Sequence, residues 1–266
     1  MISAADIAGA LRALGVARGD VLVVHSDLRR CLALEGRGRE EKMATLLHGL
    51  REAIGPDGVL AVPTFTYSYC RGEDYDVATS PSTVGALGEH VRRLPGVRRT
   101  ADPIFSTAII GALPDRWEEA LFSIRDTDSF GERSVFAWLE ETRARLLFLG
   151  VGFEFCTFVY RAEQLEGVPY RYMKAFAGSV RDGARAARTT ARYFVRDVEA
   201  GVENDFSRLE RDLRERGLLA AGELKRGPGL LVTDTEAVLK AVREGLSTDP
   251  SYLLARPVTA ASATGR

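Results

Sequence analysis

The sequence is poor in the residues that build metal centres and covalent frameworks. It has three cysteines, Cys31, Cys70 and Cys156, and three histidines in 266 residues. The cysteines have no paired spacing of the kind that predicts a zinc site or a disulfide framework. We therefore expect no metal centre, and the small number of cysteines fits a reducing cytoplasm.

An excess of charge of one sign and long apolar runs are also missing. The net charge is −1 and the pI is about 6.4, so no global field recruits nucleic acid. No segment approaches the roughly 20 apolar residues that span a bilayer. The N-terminus carries Asp6 and has no signal-like apolar core. These absences predict a cytoplasmic protein that binds neither a membrane nor nucleic acid.

Short apolar runs alternate with amphipathic segments along the chain. Val21 to Val24 and Leu146 to Leu149 lie next to glycine turns, a pattern typical of buried parallel strands. Further along, residues 172–180 and 189–198 flank Arg181-Asp182-Gly183 and predict a β-hairpin. The pattern predicts one α/β domain with a mostly parallel central sheet and an antiparallel C-terminal hairpin.

This domain is expected to cover residues 1–256. Pro, Ser, Thr and Ala dominate the end of the chain, and residues 257–266 are expected to form a loose tail. The pattern shows no internal repeat and no low-complexity linker, so we predict no further domain boundary.

The stretch from Leu149 to Phe176 is the expected centre of the chemistry. A predicted strand leads through a glycine turn to a helix over residues 157–166, an arrangement that holds polar groups at the edge of a sheet. Three side chains of this helix are expected to face inward: Phe158, Ala162 and Leu165. Tyr160 and Glu163 are three residues apart and share another face.

Six segments of the chain follow one another in the order and spacing of a known family. They are GDVLVVHSDL, VPTFTYS, STVGAL, DPIFS, LLFLGVG and TFVYRAE followed by GVPYR. Together they resemble the aminoglycoside 3-N-acetyltransferase family, from about Gly19 to Phe176. The resemblance implies an α/β/α domain that transfers an acetyl group from acetyl-CoA, or another acyl-CoA, to a primary amine. We expect the acceptor to be an amino sugar or a related biosynthetic molecule rather than a clinical aminoglycoside.

The chain departs from the family pattern at two positions. Antibiotic-modifying members have the histidine accepted as the general base in T-x-x-H-x-A-E, where this chain has Tyr160. They often have His-Pro where this chain has Asp102-Pro103. A phenol with a pKa of about 10 is mostly protonated at pH 7. We therefore expect Tyr160 to donate a hydrogen bond or to orient the amine rather than to accept its proton.

Tyr160, Asp102 and Glu163 are the catalytic candidates, and each also has a purely structural interpretation. Tyr160 could be a packing residue, Glu163 a solvated helix carboxylate, and Asp102 a turn residue that caps the local backbone. In the functional interpretation the two carboxylates bind or deprotonate a cationic amine, which has to lose a proton during attack.

The co-substrate is expected along the edge of the sheet. His25 and Ser26 end the first strand, and by resemblance H-S-x-L lies along the pantetheine arm of CoA. Ser82, Thr83 and Gly85 are predicted to start a helix whose free N–H groups bind the pyrophosphate. The structural alternatives are a histidine satisfied by the backbone and an ordinary helix cap.

Four residues are assigned to the acceptor side: Tyr67, Thr157, Arg171 and Lys174. Arg171 and Lys174 lie in a run of aromatic and basic residues, which suits an anionic acceptor such as a nucleotide-linked amino sugar. Such a run also suits nucleic acid, but the overall charge of the chain does not. Cys156 is expected to be a buried thiol rather than a nucleophile.

Two alternatives to a CoA-dependent N-acyltransferase stay open. One is a non-catalytic protein that keeps the CoA groove and has lost its base. The other is an acyltransferase that uses a different activated acyl donor, because the fold does not determine the chemistry. The expected partner is a small-molecule amine, with a homodimer as a further option.

Overall fold

The computed structural model describes residues 1–30, 33–225 and 227–257. Cys31 and the predicted tail from residue 258 onward lie outside this range. The described helices are α1 (Ala4–Ala13), α2 (Arg39–Ile54), α3 (Ala86–Val91), α4 (Asp115–Phe122), α5 (Val135–Glu141), α6 (Val159–Glu166), α7 (Ser207–Glu215) and α8 (Thr235–Thr248). The strands are β1 (Val21–Ser26), β2 (Val59–Pro63), β3 (Tyr75–Asp76), β4 (Arg98–Arg99), β5 (Thr107–Ile110), β6 (Thr127–Asp128), β7 (Arg145–Leu149), β8 (Arg171–Asp182), β9 (Arg185–Arg196), β10 (Ala220–Glu223) and β11 (Gly229–Asp234).

The larger sheet has the strand order β10-β11-β7-β1-β2-β5-β4 within the described ranges. Its centre is parallel, since β1 pairs in parallel with both β2 and β7. Only β5 and β11 are reversed, because each pairs antiparallel with both of its neighbours. The prediction of a mostly parallel central sheet is confirmed. The reversal of β11 has a local reason: five residues join it to β10, too few for a crossover.

Helices cover both faces of this sheet. The side chains of β1 alternate, so that Leu22 and Val24 join the cluster beneath α1 and α2. Val21 and Val23 lie on the other face, among residues of α5, α6 and α8. This is the expected α/β/α layering, and it places the end of β1 between the two helical layers.

The predicted hairpin is also confirmed, and it is longer than expected. β8 and β9 pair antiparallel over twelve residues each, with β3 and β6 along the outer edges of this second sheet. The Tyr69 hydroxyl, from the loop after β2, donates a hydrogen bond of 2.8 Å to the carbonyl of Thr189. That loop therefore packs against the second sheet.

Two local predictions, the start of α3 and the orientation of Leu165, were wrong. α3 begins at Ala86 and not at Ser82, because the chain before it is bonded to other groups. The strand β5 begins at Thr107, because Asp102 accepts backbone hydrogen bonds that hold the residues before it in a turn. Leu165 is 41% exposed instead of inward-facing, since it lies in the last turn of α6.

Close contact between α1 and α2 depends on Gly49. A Cβ at this position would lie 2.6 Å from Cβ of Ile7 and 2.8 Å from the carbonyl oxygen of Ala4. We expect Gly49→Ala to lower the free energy of unfolding by about 1–3 kcal/mol, because the helices have to separate. Denaturant unfolding measures this. Gly9→Ala is the control, since nothing lies within 4 Å of its new Cβ. It should raise stability by about 0.5–1 kcal/mol, and equal effects would contradict the packing argument.

Candidate active site

A groove of about 1240 Å³ lies where the ends of β1, β2 and β7 meet the starts of α3 and α6. Pockets for one small ligand usually measure about 300–1,000 Å³, so this groove has room for two substrates. Residues from both predicted sets line it: His25, Ser26, Thr83 and Gly85 from the co-substrate set, and Tyr67, Thr157 and Tyr160 from the catalytic and acceptor sets. Five other predicted residues are not among its lining residues: Ser82, Asp102, Glu163, Arg171 and Lys174.

His25 is a buried, neutral residue at the end of β1. Its ring stacks on Phe148, the residue paired with it on β7, at 5.0 Å between ring centroids. Burial lowers the pKa of His25 to about 4. Neither ring nitrogen has a hydrogen-bond partner within the described chain. The structural alternative, a histidine satisfied by the backbone, is therefore not supported by the described chain.

Tyr160 lines the groove, and the side chains of Asn204 and Arg171 contact its phenol. The side chain of Asn204 donates a hydrogen bond of 3.2 Å to the Tyr160 oxygen. The Arg171 guanidinium lies 4.6 Å from the centre of the Tyr160 ring. Burial raises the pKa of Tyr160 above its ordinary value, so the phenol keeps its proton at neutral pH. With its oxygen already accepting from Asn204, the phenol is left to act as a donor.

Glu163 lies one turn along α6 but away from the groove. It is fully buried, and its Oε2 is 2.8 Å from Nε of Arg171 in an ion pair. Burial raises the pKa of Glu163, while the Arg171 charge opposes that rise. The structural alternative of a solvated carboxylate is therefore wrong, and the structure does not place this catalytic candidate among the lining residues of the groove. Arg171 is engaged further, donating to the side-chain oxygen of Asn204 at 3.1 Å.

The carboxylate of Asp102 is hydrogen-bonded to the backbone of its own turn. One carboxylate oxygen accepts hydrogen bonds from the N–H groups of Ile104 (2.8 Å) and Phe105 (2.9 Å). The residue lines a separate cavity of about 220 Å³, together with Arg125 and Asp128. Burial raises the pKa of Asp102. The structure therefore does not bring Asp102 together with Tyr160 in the groove.

The backbone N–H groups of Ser82 and Thr83, which precede α3, already have hydrogen-bond partners. The Ser82 N–H donates to the Glu89 carboxylate at 2.8 Å, and the Thr83 N–H donates to the carbonyl of Phe65 at 2.9 Å. The expectation that Ser82 and Thr83 offer free N–H groups is therefore wrong. Gly85, at a φ of 113°, is the residue that turns the chain into α3 beside the groove.

Lys174 and Cys156 take no part in the groove. Lys174 is exposed on β8, with its ammonium 5.5 Å from the Phe176 ring centre. Cys156 is fully buried, and burial raises its pKa to about 12, so the prediction of a buried thiol is confirmed. In the part of the chain that the structure describes, no group of three or more His, Cys, Asp or Glu side chains is placed to hold a metal ion. No helix in that part is long and apolar enough to cross a membrane.

Two features of the groove were missed by the sequence analysis. Asn204 is 44 residues from Tyr160 in the chain, and no local pattern predicts their contact. Tyr67 has a left-handed backbone, with a φ of 56° that is unfavourable for a residue with a side chain. Such strain is concentrated at binding and catalytic sites, and here it occurs at a groove-lining residue.

The fold and the groove define an α/β protein with a large groove at the carboxyl ends of its central parallel strands. The family model for aminoglycoside 3-N-acetyltransferase matches residues 23–244. The chain belongs to this family. The expected enzyme class is thereby confirmed: it is an N-acetyltransferase with acetyl-CoA as its co-substrate.

Relatives and solved structures agree with this assignment over nearly the whole chain. Aminoglycoside N(3)-acetyltransferase IV from Salmonella sp is 30% identical, covering 95% of this chain and 90% of the relative. A mutant of aminoglycoside acetyltransferase AAC(3)-IVa, solved in complex with apramycin, is 28% identical with a TM-score of 0.71, covering 94% of both chains. AAC-IIIb, solved as a binary complex with CoASH, has the same fold at 21% identity and a TM-score of 0.72, covering 92% of this chain and 96% of AAC-IIIb.

Proposed function

We propose that this chain transfers the acetyl group of acetyl-CoA to the 3-amino group of an aminoglycoside. The observation that carries the proposal is one groove lined both by the predicted co-substrate residues at the end of β1 and by the predicted acceptor residue Thr157 and the catalytic candidate Tyr160. The apramycin complex of the related enzyme supports an aminoglycoside as the acceptor, and this replaces the expectation of an acceptor other than a clinical aminoglycoside.

The charges that line the groove favour a cationic acceptor over an anionic one, because carboxylates outnumber arginines among them (Asp27, Glu154 and Glu210 against Arg29 and Arg214). Arg171 is buried in its ion pair with Glu163, and Lys174 is exposed on β8 outside the groove, so neither supports binding of a nucleotide-linked sugar. Glu154 lines the groove and is exposed there. A carboxylate in this position attracts a protonated amino sugar.

In the proposed reaction the neutral amine attacks the thioester carbonyl carbon. The C–N bond forms, the C–S bond breaks, and CoA leaves as a thiolate that takes up a proton, while the amine loses one proton to solvent. Tyr160 donates its phenol hydrogen to an oxygen of the acceptor and thereby orients the sugar. Asn204 fixes the direction of that donation by occupying the phenol oxygen from the other side.

Tyr160→Phe tests this orienting role. We expect KM for the acceptor to rise about 5- to 10-fold, the loss of one hydrogen bond, with CoASH affinity unchanged. Steady-state kinetics and calorimetry measure the two effects. Tyr172→Phe is the matched control, since Tyr172 lies on β8 and is not a lining residue of the groove. An unchanged acceptor KM in Tyr160→Phe would contradict the role.

The proposed function itself is tested by incubating the protein with acetyl-CoA and separate acceptors. These are apramycin, gentamicin, sisomicin and a nucleotide-linked amino sugar, with mass spectrometry for the acetylated product and NMR for its position. Acetylation of the aminoglycosides at the 3-amino group is the expected result. Acetylation of the nucleotide-linked sugar alone would refute the proposal that the acceptor is an aminoglycoside. Tight CoASH binding without any product would favour the non-catalytic alternative. Monomeric or dimeric mass by light scattering tests the predicted homodimer.

A further inference from the structure

His25 has an unusual combination of burial and unmet hydrogen-bonding capacity. The residue is only 9% exposed, and both ring nitrogens are buried without a partner in the described chain. A neutral imidazole carries one donor and one acceptor, and each buried polar atom left unpaired costs about 1–3 kcal/mol. Most buried polar side-chain atoms in native proteins are paired, so a group outside the chain is the natural partner for this ring.

The surroundings of the ring keep it neutral and fix its position. The stacking partner Phe148 is uncharged, and so are the residues beside the ring, which include Phe65, Thr157 and Phe158. Burial is the one cause that lowers the pKa of His25, and no charged group contributes. The ring is therefore a weak proton acceptor near pH 7, while its N–H stays available as a donor.

The position of His25 in β1 also determines which face of the sheet its ring occupies. Alternation along β1 puts His25 on the same face as Val23, and this face is covered by α5 and α6. His25 and Thr157 line both the groove and the small cavity beneath it. The imidazole thus lies near Thr157, just before α6, the helix that carries Tyr160.

We propose that His25 is a catalytic residue that donates a hydrogen bond from its neutral ring to the carbonyl oxygen of the acetyl thioester. As the amine attacks, this oxygen becomes negative and the hydrogen bond strengthens, so the contact stabilises the tetrahedral intermediate more than the bound substrate. The oxygen returns to a carbonyl when CoA leaves, and His25 keeps its proton throughout. This inference rests on the proposed acetyl transfer and adds the group that stabilises its oxyanion.

Two variants separate this role from simple contact with the pantetheine arm. We expect His25→Phe, which keeps the aromatic stacking and removes the donor, to lower kcat by about 100-fold or more. His25→Gln, which keeps an N–H donor, should stay within about tenfold of the wild type. CoASH affinity should change less than threefold in both. His48→Gln on the exposed side of α2 is the control and should match the wild type.

The opposite pattern would overturn the proposal. A tenfold or larger loss of CoASH affinity at unchanged kcat would make His25 a binding contact only. A rising pH–rate limb near pH 6–7 that disappears in His25→Gln would make it a base.

A spectroscopic readout requires neither turnover nor the aminoglycoside. In protein labelled with ¹⁵N-histidine, the His25 N–H proton should move downfield on adding a non-transferable ketone analogue of acetyl-CoA, and CoASH should leave it in place. His48 and His90 serve as internal references, and His25→Gln assigns the signal. Equal shifts with both ligands, or none, would overturn the role of His25. A failure of the proposed function would show instead as absence of product with every aminoglycoside, whatever the spectrum.

Discussion

Acetyl transfer by this chain should become about tenfold faster with each unit of rising pH, up to the pKa of the acceptor amine. The reason is that two groove side chains that would otherwise serve as bases do not titrate in this range. Burial lowers the pKa of His25 to about 4, and burial raises the pKa of Tyr160. The amine therefore has to enter in its neutral form, and kcat/KM follows the neutral fraction. Between pH 6 and pH 8 the expected rise is about 50-fold for an amine with a pKa of about 8, and it approaches about 100-fold for a higher pKa.

The matched variant is Tyr160→His, which restores an imidazole at the position where the family pattern has one. We expect it to raise kcat/KM at pH 7 by about tenfold or more and to flatten the profile above the pKa of the new imidazole. The Arg171 charge, 4.6 Å from the centre of the present ring, would hold that imidazole neutral and able to accept a proton. A wild-type profile that levels off near pH 6.5 would reveal another base and contradict the prediction.

The fold and most of the groove could be predicted because they depend on local patterns. Apolar runs beside glycine turns correctly placed β1 and β7, and parallel strands have to present their carboxyl ends at one edge. His25, Ser26 and Thr157 were therefore assigned to this edge from the sequence, and the structure places them on one groove. The resemblance to the family supplied the nature of the co-substrate, which no pattern of spacing reveals.

The hydrogen-bond partners of individual polar side chains could not be predicted in the same way. Asp102 and Tyr160 were both catalytic candidates, yet one is held by its own backbone and the other lines the groove. That difference depends on which distant segment packs nearby. Asn204 reaches Tyr160 and Arg171 because the chain before α7 returns to α6, a long-range contact with no local sequence signal.

Glu163 was a catalytic candidate, and its largest expected effect is on stability. We expect Glu163→Ala to lower the free energy of unfolding by about 3–5 kcal/mol, because it leaves the Arg171 guanidinium buried without a counter-charge. The two side chains are 0% and 3% exposed, so water cannot replace the lost carboxylate at little cost. Denaturant unfolding measures the change. The control is Glu166→Ala on the same helix, whose ion pair with Arg243 is more exposed and should be worth about 0–1 kcal/mol.

A second variant distinguishes a structural carboxylate from a catalytic one. Replacing both partners, in Glu163→Leu with Arg171→Met, removes both buried charges and should recover most of the stability lost in Glu163→Ala. For a structural role, Glu163→Gln should keep kcat within a few-fold of the wild type at temperatures where it is folded. The slope of kcat/KM with pH should also stay unchanged. If Glu163→Gln instead lost kcat about 100-fold with little change in stability, the carboxylate would belong to the mechanism, and its ion pair with Arg171 would have to open when the substrates bind.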